Sequence, residues 1–128
     1  MKFPADLKYT KDHEWVSFKK DTATIGVTHY AIEQLGDIVH LDLPELDEQF
    51  DSGASFGTIE STKTVSDLYS PVSGTVVEIN DDIANHLEAL HEDPYEEGWL
   101  VRIKMGGEID ESELMSETEY ETFIAEQE

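Results

Sequence analysis

The chain contains no cysteine. This absence excludes disulfides, thiolate metal sites and a cysteine nucleophile from the chain itself. Any thiol chemistry in which the protein takes part must therefore be supplied by a cofactor.

Basic residues are scarce. Eight Lys and Arg residues stand against thirty Asp and Glu residues, which gives a formal net charge of −22. Such a surface repels the phosphates of nucleic acids and anionic membranes, so we expect neither as a partner. It suits partners that present basic docking surfaces. Adaptation to high salt would produce the same composition.

The chain also lacks segments that would direct or anchor it elsewhere. Its first residues form neither an apolar signal segment nor an Arg-rich transit pattern, and no apolar run approaches membrane-spanning length. We therefore expect a cytoplasmic protein.

Patterns typical of enzyme sites are missing as well. His13-Glu14 resembles the start of a zinc-protease motif, but Ser17 stands where the second histidine is needed. The other histidines show no metal-ligand spacing, and neither a Gly-rich phosphate loop nor a nucleophile–base pair is present. We expect no metal site and no catalytic residue, so the protein is not an enzyme.

The hydrophobic patterning predicts a mainly β chain with short helices. Strands are expected at 7–9, 14–18, 22–27, 38–43, 56–60, 64–69, 75–79 and 99–103. Helical spacing predicts a short helix at 28–34 and a helix or turn at 82–91. Ser116 and Glu119 form a capping box that begins a C-terminal helix. We expect a single domain over 1–128, with a core at about 20–105 and a C-terminal helical segment at about 110–126.

Two similar strand–loop–strand units repeat weakly along the chain. The first joins 38–43 to 56–59 through an acidic loop, and the second joins 75–79 to 99–103. Val39, Leu41 and Leu43 are expected to share one face of their strand. Two such units can pack face to face into a small flattened barrel, with the turn between them at one end.

One lysine lies in that turn. Lys63 is the only basic residue between Lys20 and Arg102, so it belongs to no basic patch. The runs 56–60 and 64–69 predict a hairpin that fixes where the amine points and leaves it exposed. An ordinary solvated lysine and a modified lysine both fit this position.

The residues around Lys63, together with segments along nearly the whole chain, resemble the glycine cleavage system H proteins, which are lipoyl carriers. The most specific segment is Glu60-Ser61-Thr62-Lys63-Thr64-Val65-Ser66-Asp67. Biotin carriers place methionines beside the lysine, and acyltransferase lipoyl domains usually place an aspartate directly before it. Other matching segments are Leu7-Lys8-Tyr9-Thr10, His13-Glu14-Trp15, Leu35-Gly36-Asp37-Ile38-Val39, Leu43-Pro44-Glu45, Ser70-Pro71-Val72-Ser73-Gly74, Glu92-Asp93-Pro94-Tyr95 and Gly98-Trp99-Leu100.

This resemblance implies a barrel-sandwich hybrid fold and a carrier with lipoic acid amide-linked to Lys63, within a motif that includes Glu60, Ser61, Ser66 and Asp67. It implies that the arm accepts the aminomethyl group of glycine at the pyridoxal-phosphate-dependent glycine decarboxylase (P protein). The arm would present that group to the tetrahydrofolate-dependent aminomethyltransferase (T protein) and be reoxidised by dihydrolipoamide dehydrogenase (L protein). A lipoyl ligase or octanoyltransferase, together with lipoyl synthase, would install the cofactor.

In this family the loaded arm folds against a cleft near the His-Glu-Trp segment. Glu14 and Asp67 are therefore candidates to meet its amine, with solvated surface carboxylates as the alternative for both. Two other functions stay open at this point. One is a lipoate relay for 2-oxoacid dehydrogenases or sulfur metabolism, and the other is an unmodified acidic interaction module.

Overall fold

The computed structural model describes residues 3–106 and 114–127. Within these ranges it contains nine β-strands and four α-helices. The strands are β1 (Lys8–Tyr9), β2 (Glu14–Lys19), β3 (Thr22–Val27), β4 (Ile38–Asp42), β5 (Gln49–Phe50), β6 (Ser55–Ser61), β7 (Val65–Tyr69), β8 (Gly74–Ile79) and β9 (Val101–Met105). The helices are α1 (His29–Leu35), α2 (Asp81–Asn85), α3 (Ala89–Glu92) and α4 (Glu117–Gln127).

The strands form two antiparallel sheets. The larger sheet has the order β1-β2-β3-β9-β8-β5, and the smaller has the order β4-β6-β7. Both strand pairs predicted from the internal repeat are present, since β4 pairs with β6 and β8 pairs with β9. The prediction of a mainly β barrel-sandwich chain with short helices and a C-terminal helix is therefore confirmed.

The main core lies between the two sheets. Alternation along each strand places one set of apolar side chains inward. The inward set of the larger sheet includes Val16, Ile25 and Ile103, and that of the smaller sheet includes Ile59 and Leu68. The core therefore fixes the smaller sheet, including the β6–β7 hairpin, against the rest of the protein.

A second, largely aromatic cluster lies beneath α4. Trp15 points into this cluster while its neighbour Val16 points into the main core. Tyr120 of α4 stacks on Tyr9, with ring centroids 4.9 Å apart and planes 7° apart. The C-terminal helix is thus packed on the β1–β2 side of the larger sheet, and its predicted capping box is present, because Ser116 N donates to Glu119 Oε1 and Glu119 N donates to Ser116 Oγ.

Helix α1 begins and ends as its sequence predicts. Thr28 Oγ1 accepts the amide of Ala31 at 3.2 Å and caps the N-terminus. Gly36 ends the helix with φ 84°, a conformation that costs a residue with a Cβ far more than glycine. Its amide closes the last turn on Ile32 O.

Some local predictions are wrong. Val39 does not share the face of Leu41, because the pairing of β4 with β6 shifts between Ile38 and His40, and this irregularity leaves Val39 50% exposed. The last strand, β9, begins two residues later than predicted. Residues 107–113, which include the start of the predicted C-terminal segment, lie outside the described residues.

No helix in the described ranges combines the length and the apolar character that crossing a membrane requires.

Candidate functional site

Lys63 lies at the tip of the β6–β7 hairpin, as predicted. The turn is held by Ser61, a buried residue whose Oγ accepts the amides of Lys63 and Thr64, each at 3.2 Å. Ser61 N also donates to Thr64 O at 2.8 Å. This serine is therefore part of the turn's internal framework, and the lysine projects from a turn of defined geometry.

The connection between α1 and β4 supports the hairpin tip from outside. The amide of Thr62 donates to Asp37 O at 3.1 Å. The end of the Lys63 side chain rests on Gly36, where a Cβ would lie 3.7 Å from both Cε and Nζ. Lys63 is exposed, and no ion pair with another described residue occupies its amine. The amine is thus positioned but accessible.

The other motif residues divide between the two faces of the smaller sheet. Glu60 lies opposite Val65 and Asp67 lies opposite Thr58, and these rows face solvent. Ser66 pairs with the buried Ile59 on the inward face and is half-buried. Glu60 and Asp67 can therefore contact a partner or the arm, whereas Ser61 and Ser66 belong to the interior of the hairpin.

Glu14 is buried, with 1% of its surface exposed, at the start of β2. Its Oε2 accepts the backbone amide of Tyr69 at 2.6 Å, and Thr10 Oγ1 lies 3.5 Å from its Oε1. Burial raises the pKa of this carboxyl from 4.5 to about 8, although the Tyr69 amide acts in the opposite direction. Glu14 is not a solvated surface carboxylate, and it joins the larger sheet to the lysine hairpin.

A cleft of about 480 Å³ opens beside Glu14. We call it the Glu14 cleft, and its lining residues are 10–12 and 14, 52–53, 69–71 and Leu114. It borders the end of β7, the strand that leads away from Lys63. The cleft is therefore continuous with the hairpin that presents the lysine.

Asp67 lies outside the lining of this cleft, on the exposed face of β7. Its two oxygens accept from Ser55 Oγ at 3.5 Å and from the Tyr69 hydroxyl at 3.4 Å. Tyr69 thus contacts both predicted acids, with its amide on Glu14 and its hydroxyl on Asp67. Sequence reasoning missed this residue, and the only local signal was its position two residues after Asp67 on the same strand face.

Comparison with known proteins supports one family. The sequence profile described as "Glycine cleavage H-protein" matches residues 7–127. The glycine cleavage system H protein of Staphylococcus carnosus strain TM300 is 48% identical over 98% of this chain and 100% of the relative. That of Anaeromyxobacter sp. strain K is 44% identical over the full length of both chains.

A solved structure agrees with these sequences. The crystal structure of a glycine cleavage system H protein from Mycobacterium marinum is 36% identical and matches with a TM-score of 0.89. The match covers 96% of this chain and 99% of the other. The chain therefore belongs to the glycine cleavage H-protein family.

Proposed function

We propose that this chain is the non-catalytic H component of glycine cleavage and that Lys63 is the residue to which lipoic acid is attached. The observation that carries the attachment site is the accessible amine at the tip of a hairpin held by Ser61 and Asp37. Peptide mapping of protein from a lipoylating host tests it. The lipoyl group is expected on the Lys63 peptide, and a lipoyl group on Lys104 would refute the assignment.

The surroundings of Lys63 fit a lipoyl group. An extended lipoyl-lysine has about a dozen bonds and reaches about 15 Å. Asp67, four residues after Lys63 in sequence, lies at most about 13 Å away at about 3.3 Å per residue. Tyr69, at the edge of the Glu14 cleft, lies at most about 20 Å from Lys63 on the same spacing, and this is an upper bound because Lys63 and Thr64 belong to the turn and not to β7. A lipoyl arm on Lys63 would therefore come within reach of Asp67 and approach the mouth of the cleft.

The division of labour between chain and cofactor follows from the composition. The dithiolane of lipoate supplies the redox couple that a chain without cysteine lacks. The chain provides a rigid hairpin, a cleft and a docking surface. Tethering raises the local concentration of the sulfur at each partner without requiring tight binding.

The partners of this component are the P, T and L proteins of the glycine cleavage system. A lipoyl ligase or octanoyltransferase and lipoyl synthase act before them on the same hairpin, with Glu60 and Asp67 on its exposed face available for their recognition. The cytoplasmic location stays a prediction. A lipoate relay to other systems is not favoured, since the relatives carry the glycine cleavage name.

We propose that Glu14 and Asp67 act on the loaded arm. That arm ends in an amine that is cationic at neutral pH, so a carboxylate binds it more strongly than the neutral oxidised arm. A shielded charge-assisted contact contributes about 1.5–3 kcal/mol, and an exposed one at most about 1 kcal/mol. Glu14 first has to ionise, which costs about 1.4 kcal/mol at pH 7 for a pKa of about 8.

We expect amide substitution of these acids to shorten the lifetime of the loaded carrier. Glu14→Gln and Asp67→Asn should each speed its spontaneous breakdown about two- to fivefold at pH 7, with lipoylation of Lys63 unchanged. The difference in breakdown rate between Glu14→Gln and the parent should increase from pH 6.5 to pH 8. Over this range Glu14 of the parent ionises, so the free-energy cost of charging it before it binds the amine falls. Breakdown is followed by mass spectrometry of the loaded protein. Equal lifetimes for the parent and both variants would mean that neither acid holds the arm.

Docking to glycine decarboxylase is expected to weaken as salt rises. A net charge of −22 steers encounter with a basic surface, and salt screens that attraction over about 10 Å at 0.1 M. The measurement is the apparent KM for the lipoylated carrier across a salt series. A KM that does not change with salt would mean that charge does not steer docking. A KM that falls with salt would indicate a halophilic chain.

A further inference from the structure

Tyr120 is a buried polar residue that the carrier function does not use directly. It lies in α4 with no exposed surface. Its hydroxyl is 2.8 Å from His13 Nδ1 and 2.8 Å from Thr28 Oγ1. We call these three residues the Tyr120 network. It joins the C-terminal helix to the β1–β2 loop and to the N-cap of α1.

The donors and acceptors that are available fix the direction of each hydrogen bond in the network. Thr28 Oγ1 already accepts the amide of Ala31, so its own proton is free to go to Tyr120. The Tyr120 hydroxyl then donates to His13 Nδ1, which places the ring proton of the neutral histidine on Nε2. Burial supports this order, because it raises the pKa of Tyr120 and lowers the pKa of His13, which keeps both side chains neutral.

His13 is followed directly by Glu14, and the chain at this point is unusual. His13 has φ 65°, in the left-handed region that a non-glycine residue adopts at a cost. Its amide donates to Thr10 O at 3.1 Å, and its carbonyl accepts the amide of Thr28 at 3.0 Å. Thr10 in turn accepts the amides of Asp12 and Glu14. His13 therefore restrains the backbone directly before Glu14, which is itself held by Thr10 and by its pairing with Val27 of β3.

The C-terminal segment also contacts the cleft by a second route. Leu114 lines the Glu14 cleft. The next residue, Met115, is bonded to Tyr9 in both directions, with N–O distances of 2.9 and 2.8 Å. Docking of α4 thus places one wall of the cleft as well as the residue that orients Glu14.

From this geometry we infer that Tyr120 is a positioning residue for the Glu14 cleft, acting through His13. It makes no contact with the arm. The hydroxyl holds His13 in its left-handed conformation, His13 holds the loop that presents Glu14, and the carboxyl is thereby kept on the Tyr69 amide. The consequence for the arm rests on the proposed carrier function, whereas the positioning of Glu14 does not.

Tyr120→Phe tests the positioning in the unmodified chain. The change keeps the stacked ring and removes only the hydroxyl. The readout is hydrogen exchange of the Tyr69 amide by NMR, referred to the Ile103 amide in the core. We expect the Tyr69 amide to exchange on the order of tenfold faster than in the parent, because the hydrogen bond that holds His13, directly before Glu14, is lost.

Tyr30→Phe is the matched control. Tyr30 belongs to the same aromatic cluster, and its hydroxyl has no hydrogen-bond partner among the residues that the structure describes. This variant should leave Tyr69 exchange unchanged. His13→Asn should also keep it slow, because asparagine tolerates the left-handed φ and its Oδ1 can accept from Tyr120, whereas His13→Leu should behave like Tyr120→Phe.

Equal Tyr69 exchange in Tyr120→Phe and Tyr30→Phe overturns the inference. In the loaded carrier, Tyr120→Phe should shorten the lifetime about as much as Glu14→Gln does. Faster exchange with an unchanged lifetime would overturn the role toward the arm. If Lys63 carries no lipoyl group, the proposed function fails, and the exchange experiment still decides whether Tyr120 positions Glu14.

Discussion

Replacing Lys63 by arginine is expected to abolish carrier activity completely while leaving the fold intact. Arginine keeps the positive charge and the long stem, but its guanidinium does not form the amide to lipoic acid. Lys63 is exposed, and the hydrogen bonds of the turn involve its backbone amide, which arginine also has. Loss of activity would therefore indicate that lipoic acid is no longer attached, and not that the protein is unfolded.

The measurement is intact mass after expression in a lipoylating host, followed by glycine decarboxylation with the P protein. Lys104→Arg is the control, because it removes another lysine of the chain far along the sequence, in β9. It should be lipoylated and active like the parent. A lipoylated Lys63→Arg protein, or one with parental activity, would contradict the assignment.

The free energy of unfolding is expected to fall as pH rises, and Glu14 is expected to be a major cause. Its pKa is about 8 in the folded protein against 4.5 in the absence of burial, so the folded state holds this proton more tightly than the unfolded state. The stability that comes from this group is therefore fully present below about pH 4.5 and is lost as pH rises toward about 8. Each pKa unit corresponds to about 1.4 kcal/mol, so the contribution is of the order of a few kcal/mol.

Glu14→Gln isolates this contribution. Glutamine keeps an oxygen that can accept the Tyr69 amide and cannot ionise, so the variant should lose less stability than the parent between pH 5 and pH 9. Denaturant unfolding at several pH values measures the difference. Asp67→Asn removes an exposed carboxylate and leaves Glu14 in place, so it should retain the parental loss. If the free energy of unfolding changes with pH in the same way in the parent and in Glu14→Gln, ionisation of Glu14 does not destabilise the folded protein as expected.

The hairpin and the lysine could be predicted because their determinants are local. Val65 to Tyr69 alternate between the two faces, Ser61 is three residues from the amide that it accepts, and Thr28 and Gly36 cap a helix within one segment. The period of the side chains and the preferences of caps and turns are set by neighbours in sequence. The family motif around Lys63 then indicated that this hairpin carries a lipoyl group.

The cleft could not be predicted in the same way, because its contacts join distant segments. Glu14 meets Tyr69 across 55 residues of sequence, and Tyr120 meets His13 across 107. Whether Glu14 is buried or solvated depends on this packing, and its residue type does not decide it. The prediction that Val39 shares a face with Leu41 was wrong for a related reason. An irregularity in the pairing with β6 alters the alternation that the strand alone would show.

The acidic surface and the site serve different steps of one task. A net charge of −22 is expected to steer encounter without specifying a single partner, which suits a carrier that visits several enzymes. Steering by charge speeds encounter without requiring tight binding, so it would allow the arm to leave one site for the next. In the proposed function, the buried Glu14 and the Lys63 turn then act only on the arm.

The central claim is that Lys63 carries the glycine-derived group between enzymes, and one labelling measurement tests it most directly. The lipoylated chain is incubated with glycine decarboxylase and glycine labelled at its methylene carbon, and its peptides are analysed by mass spectrometry. The label is expected on the Lys63 peptide alone, and it should disappear when aminomethyltransferase and tetrahydrofolate are added. A label on another peptide, or none when the same decarboxylase loads the Staphylococcus carnosus H protein, would contradict the account.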